Sequence, residues 1–176
     1  TDVFHRGVAL QEKSDYEAAI SAFDEAIRLN PKYIEAYYSR GNVFEAKGQH
    51  DVAIENYNEV LRFSPREPAA YYNRGVARGK MGQQERAIED YTEAIELDPG
   101  YAKAYYNRGH LYFRRGQLDE AIADFSQAIN LQPRRADAYY NRGLACLRQG
   151  ELDEAIADFS QAIELNPRLA GAYADR

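Results

Sequence analysis

Five prolines, Pro31, Pro65, Pro99, Pro133 and Pro167, recur every 34 residues along the chain. The same interval separates Gly7, Gly41, Gly75, Gly109 and Gly143, then Ala19, Ala53, Ala87, Ala121 and Ala155, and a large aromatic at Phe23, Tyr57, Tyr91, Phe125 and Phe159. A single compact core imposes no such translation. A fixed period of this length marks stacked units, each of which touches only its neighbours. Residues 103–136 and 137–170 agree at 24 of 34 positions, which sets the register. The units therefore run 1–34, 35–68, 69–102, 103–136 and 137–170. Residues 171–176 read as the opening of a further helix, and 1–176 as one array.

Each unit reads as two helices, so the fold class is all-α. In the fifth, Ala138 to Gln149 has helical length and is closed by Gly150, a residue type that accepts the left-handed conformation past a helix end. Gly48, Gly82 and Gly116 recur at that place, and Ser14 replaces them in the first unit. Asp153 and Glu154 open the second helix, where carboxylates suit the positive end of the helix dipole. Ala155, Ile156, Phe159, Ala162 and Ile163 follow helical spacing, and Pro167 ends the run. Helices of about 12 residues, roughly 18 Å at the standard rise, bury little alone and require stacking.

Composition removes several functions. Apolar residues make up 45% and charged residues 28%, enough hydrophobic surface to fold. The net charge of −6 argues against a nucleic-acid partner, and no run of eighteen apolar residues exists to span a membrane. Cys146 is the one cysteine, and with His5, His50 and His110 it forms no recognisable metal set, so no metal or cofactor is expected. Cys146 falls at a core position. His50 reads as a turn residue, and no histidine has an orienting carboxylate at a recognisable spacing. The expectation is a non-enzyme. Low cysteine content and the lack of a visible signal peptide point to the cytoplasm.

The residues Tyr105, Gly109, Tyr112, Ala121, Phe125, Ala128 and Pro133, with Tyr37, Gly41, Phe44, Ala53, Tyr57, Val60 and Pro65, resemble the tetratricopeptide repeat (TPR) family along the whole chain. That resemblance implies a right-handed superhelix of antiparallel helix pairs, with first (A) helices lining a concave groove and second (B) helices forming the back. Two departures are systematic. Tyr37, Tyr71, Tyr105 and Tyr139 stand for the family's Trp, and Arg6, Arg40, Arg74, Arg108 and Arg142 for its Leu. An arginine at a normally apolar place needs a partner. Asp90, Asp124 and Asp158 offer one, giving an Arg–Asp ladder such as Arg108 with Asp124 or a neighbouring repeat's equivalent. The alternative is that these arginines bind ligand carboxylates.

The resemblance also places a stripe of each A-helix on the concave side. In the second repeat it carries Glu35, Tyr38, Ser39, Asn42 and Glu45; in the third, Ala69, Tyr72, Asn73, Val76 and Lys80. In the fourth it carries Lys103, Tyr106, Asn107, His110, Phe113 and Arg114; in the fifth, Asp137, Tyr140, Asn141, Leu144, Leu147 and Arg148. Leu118–Ile129 is identical to Leu152–Ile163, whereas His110/Leu144 and Phe113/Leu147 differ: the back repeats while the face varies. Asn73, Asn107 and Asn141 could hold a peptide backbone, or simply belong to the scaffold, and the tyrosines give flat amphipathic area. Lys80, Lys103, Arg114 and Arg148 beside Phe113, Leu144 and Leu147 suit a protein or peptide with acidic and hydrophobic residues. A solvated face is the alternative. A chaperone-type carboxylate clamp matches at Asn42, Asn73 and Lys103 but has Tyr38 and Asn107 where cations belong, so a full clamp is not expected. The leading reading is a non-catalytic module that binds an extended segment; the second is a scaffold that oligomerises through its terminal repeats.

Overall fold

The computed structural model describes residues 2–168; the further helix expected at 171–176 lies outside the described residues. Among the described residues the chain forms ten helices and no strand. They are α1 (Asp2–Glu12), α2 (Tyr16–Leu29), α3 (Ile34–Ala46), α4 (His50–Phe63), α5 (Pro68–Lys80), α6 (Gln84–Leu97), α7 (Ala102–Arg114), α8 (Leu118–Leu131), α9 (Ala136–Gln149) and α10 (Leu152–Leu165). From α3 onward each A-helix starts one residue ahead of the boundary read from the period. B-helices stop two residues before each periodic proline. Proline forces its predecessor out of helical geometry, and Asn166, before Pro167, is extended at φ −143°.

The turn within each pair is fixed by one left-handed residue. Gly48, Gly82, Gly116 and Gly150 adopt φ between 75° and 88°, and Ser14 takes the same place at φ 60°, a conformation that costs an L-residue free energy. Between the two helices, a glycine on A faces the buried aromatic on B. A β-carbon at Gly143 would lie 2.7 Å from Phe159 Cε1, and one at Gly41 2.8 Å from Tyr57 Cε1. The missing side chain lets the helices close onto the ring, which is fully buried in both repeats.

The chain divides into two compact units between Leu97 and Asp98, so three helix pairs (α1–α6) lie in the first and two (α7–α10) in the second. In the first unit, Ala19, Phe23 and Val43 form one core cluster with Phe4, Val8 and Ile20 against it. Val60, Leu61 and Ala70 form another, with Ile34, Tyr37, Tyr38 and Tyr71. In the second unit, Cys146, Ala155, Phe159 and Ala162 pack with Ile122, Tyr139 and Leu144. Each cluster draws on consecutive repeats, as stacking requires.

The arginines of the A-helices form the expected ladder. Arg108 Nε and Nη2 donate to the Asp124 carboxylate at 2.8 Å each, and Arg142 does the same to Asp158 at 2.8 and 2.7 Å. Arg74 grips Asp90, which also takes Arg78. The hydrogen bond it donates to Asp158 holds the Arg142 pKa above its ordinary value, against the opposing effect of burial. In the second repeat the acceptor is Asn56, reached by Arg40 Nε at 2.7 Å. A second arm of the guanidinium reaches back to the B-helix of the preceding repeat: Arg40 to Asp24, Arg74 to Asn58 and Arg142 to Ser126. The aspartate within the repeat is thus the partner, and the contact to the preceding repeat falls two positions beyond that aspartate's equivalent rather than on it. These aspartates are nearly inaccessible, so the pairing satisfies charges that burial would otherwise penalise. Arg6 has Ala22 at the matching place and stays exposed.

Candidate functional site

In the first unit, α3 carries Tyr38 and Asn42, and α5 carries Tyr72, Asn73 and Lys80. Their polar groups meet each other. Asn73 Nδ2 donates to the Tyr38 hydroxyl at 2.8 Å and to Asn42 Oδ1 at 3.2 Å, and the Tyr57 hydroxyl donates to Asn42 Oδ1 at 2.9 Å. Asn73 therefore orients the tyrosine of the preceding repeat through its amide. Burial raises the Tyr38 pKa, the Asn73 bond opposes it and Glu67 adds to it. The Lys80 ammonium, counted from the sequence among the groove cations, is paired with Glu45 of α3. Glu45 also meets His50 Nδ1 at 2.7 Å. This corrects the reading of His50 in two respects: it opens α4 rather than lying in a turn, and it does have a carboxylate beside it.

The A-helix face of this unit opens into a cavity of about 610 Å³. Phe4 of α1, Ile34, Glu35, Tyr38 and Ser39 of α3, Val60 and Ser64 at the end of α4, and Glu67 and Ala69 at the start of α5 line it. Neither Phe4 nor Glu67 stood out in the sequence. Their shared signal was positional: Phe4 is the first-repeat counterpart of Tyr38, and Glu67 directly precedes an A-helix. A further cavity of about 580 Å³ lies between α2, α3 and α4 around Arg40, with Asp24, Glu55 and Glu59 at its edge.

In the second unit, α7 carries Lys103, Tyr106, Asn107, His110, Phe113 and Arg114, and α9 carries Tyr140, Asn141, Leu144, Leu147 and Arg148. Asn141 Nδ2 donates to the Tyr106 hydroxyl at 2.8 Å, repeating the bond of the first unit. The Arg135 guanidinium lies 3.7 Å from the Tyr106 ring centre and pairs with Asp137 at 2.9 Å. Burial first, then the nearby Asp137, pushes the Tyr106 pKa up to about 12. Arg148 stacks over Phe113 at 4.0 Å. Lys103, His110, Arg114 and Leu147 are exposed, and Leu144 is half-buried in the core cluster. Partial burial, then Arg114, holds the His110 pKa below its ordinary value. Cys146 is buried at 3% exposure and its thiol pKa is pushed up to about 11, chiefly by that burial, so it is a core residue.

Among the described residues, no three His, Cys, Asp or Glu side chains gather as a metal site, and no helix is long and apolar enough to cross a membrane. Antiparallel helix pairs repeating every 34 residues, stitched by side chains that reach from one pair to the next, define a helical-repeat protein, an all-α solenoid in class. The chain belongs to the tetratricopeptide repeat family. The Tetratricopeptide repeat model matches residues 106–170, and the TPR repeat model matches 7–48, 41–82 and 80–114. Among solved structures, MamA is 30% identical with a TM-score of 0.87, covering 94% of this chain and 96% of that one. YrrB, a TPR protein with an unusual peptide-binding site, is 26% identical with a TM-score of 0.84 and 98% and 89% coverage. TTC0263, a thermophilic TPR protein from Thermus thermophilus, is 26% identical with a TM-score of 0.70, over 98% and 94%. No curated protein matches the chain. TPR proteins are in general non-catalytic, and the chain is a protein–protein interaction module.

Proposed function

We propose that the A-helix faces dock an extended peptide or protein segment and perform no chemistry on it. The observation that carries this reading is the cavity opened by α1, α3 and α5, a concave surface with an apolar floor and polar edges. The chain keeps α8 and α10 identical over twelve positions while α7 and α9 differ on the outward stripe, which is where partner contacts are free to vary. On the second unit, Lys103 and Arg114 stand exposed at the two ends of α7, Arg114 next to Phe113 in the sequence, which suits a segment with acidic residues and a hydrophobic anchor. A peptide array probed with the full chain tests this. Capture of acidic–hydrophobic peptides falls at least tenfold on Lys103→Glu with Arg114→Glu, about 1.4 kcal/mol; unchanged capture refutes it.

A second reading, self-association, is favoured by α10. Leu152 and Ile156 are 58% and 45% exposed, whereas Leu118 and Ile122, their counterparts on α8, are half-buried. Light scattering over a concentration series tests it: a mass that stays monomeric, or one that Leu152→Glu with Ile156→Glu leaves unchanged, removes it.

A further inference from the structure

The residue just before an A-helix covers the aromatic of the preceding A-helix, and the copies of this arrangement differ in a telling way. Tyr33 packs against Phe4 with ring centres 5.0 Å apart. Two repeats after Tyr38, Arg135 lies 3.7 Å from the centre of Tyr106. At Tyr38 the corresponding residue is Glu67, and a carboxylate cannot stack on the negative face of a ring. Tyr38 and Tyr106 each take an asparagine amide at 2.8 Å, and Tyr106 has Asp137 beside it as well. The second unit thus fills its tyrosine site with its own guanidinium, which Asp137 neutralises at 2.9 Å. In the first unit the place of Asp137 is taken by Ala69, and a cavity of about 610 Å³ opens over Phe4 and Tyr38. Among the described residues, the charged ones that line it are Glu35 and Glu67, both negative.

We infer that this cavity takes an arginine side chain of the partner polypeptide, its guanidinium stacked on Tyr38 and paired with Glu67 and Glu35. The first unit supplies the carboxylate and the partner the cation, where the second unit supplies both. Arginine fits better than lysine because its planar, weakly hydrated head stacks on an aromatic while donating to a carboxylate. The inference rests on the A-helix face being the docking face and assigns it a residue-level specificity.

The test uses the full chain, isotopically labelled, titrated with the tripeptide acetyl-Gly-Arg-Gly-amide and its citrulline counterpart, which keeps the shape and loses the charge. The arginine peptide shifts backbone NMR signals at residues 34–39 and 67–69, and citrulline binds at least tenfold more weakly. Glu67→Arg, which gives this site the residue type found at Arg135, removes the response while the circular dichroism spectrum is unchanged; Glu67→Gln serves where that spectrum changes. Arg135→Glu with Asp137→Ala, the reverse exchange, creates a new response around Tyr106. Equal binding of the citrulline or lysine counterpart, shifts spread over carboxylates outside the cavity, or a full response in both Glu67 variants overturns the inference. The tripeptide reads the cavity alone and the Lys103/Arg114 variant reads peptide capture, so failure of the one is distinguishable from failure of the other.

Discussion

Asp124 is the most informative residue to remove. It is 5% exposed and accepts two hydrogen bonds from Arg108 at 2.8 Å, while Tyr105 and Tyr112 lie with ring centres 5.8 Å from the guanidinium carbon. Asp124→Ala leaves that cation without its counter-charge. Breaking a buried pair on one side costs about 3–5 kcal/mol, and the 15% of the Arg108 side chain that water still reaches puts this case near the lower end, about 3 kcal/mol. Asp124→Asn is milder because the fold already contains that solution. Asn56 takes Arg40 Nε at 2.7 Å and turns its amide to the Val52 carbonyl at 2.8 Å. The amide keeps one of the two bonds, so about 1.5 kcal/mol is expected from the lost charge-assisted bond. Urea titrations of both variants, with hydrogen exchange read in α7 and α8, separate the costs from global unfolding. Arg108→Met combined with Asp124→Leu recovers most of the loss, since neither charge then remains. If the alanine variant costs no more than the asparagine one, the charge does not hold these helices together and the ladder is an incidental contact.

Other outcomes follow from the same geometry. Gly143→Ala drives a methyl to 2.7 Å from the fully buried Phe159 ring; overpacking of about 1–3 kcal/mol outweighs a gain of about 1 kcal/mol in helix propensity, so thermal denaturation shows a net loss. Gly79→Ala meets nothing closer than 3.9 Å and has the opposite sign, a gain of about 0.5–1 kcal/mol. Ser14→Gly relieves the one non-glycine left-handed residue among those described and stabilises by about 1 kcal/mol in the same assay. Cys146 resists a thiol reagent at neutral pH in the native chain and reacts at the full rate in denaturant. His110 titrates below the ordinary value of about 6.5 in an NMR pH series, and Arg114→Glu raises its pKa. Because the unfolded chain takes up that proton first, the stability contributed by neutral His110 is complete above the ordinary value. It is lost as pH falls from there toward the folded value.

Period and residue type together revealed the helix pairs, the left-handed turns and the Arg–Asp pairing, because each depends on positions within one repeat or on equivalents one period away. Arg108 and Asp124 sit sixteen residues apart, and burial at a normally apolar place requires such a partner. What stayed hidden depends on which side chains of successive repeats meet. Asn73 and Tyr38 are 35 positions apart, one more than the period, so a comparison of equivalents never sets them side by side. The pairing of Lys80 with Glu45 is hidden for the same reason, and it neutralises one of the cations read along the stripe. Glu67 and Arg135 escaped notice because they occupy the step before a helix, where the sequence shows only a variable residue. The Asn amides could be placed on the A-helices but not given their tyrosine partners.

Arg40, Arg74 and Arg142 each belong to two junctions, and the residue met on the preceding B-helix changes: a carboxylate at Asp24, an amide at Asn58, a hydroxyl at Ser126. The grip within the repeat recurs, on Asn56 for Arg40 and on Asp90 and Asp158 for Arg74 and Arg142, so this other contact is what varies between adjacent links. Where it is ionic the junction gains up to about 1 kcal/mol, since the Asp24 side chain is 54% exposed. Within a chain of near-identical parts, one side chain per link thus adjusts how firmly a repeat is tied to the one before it.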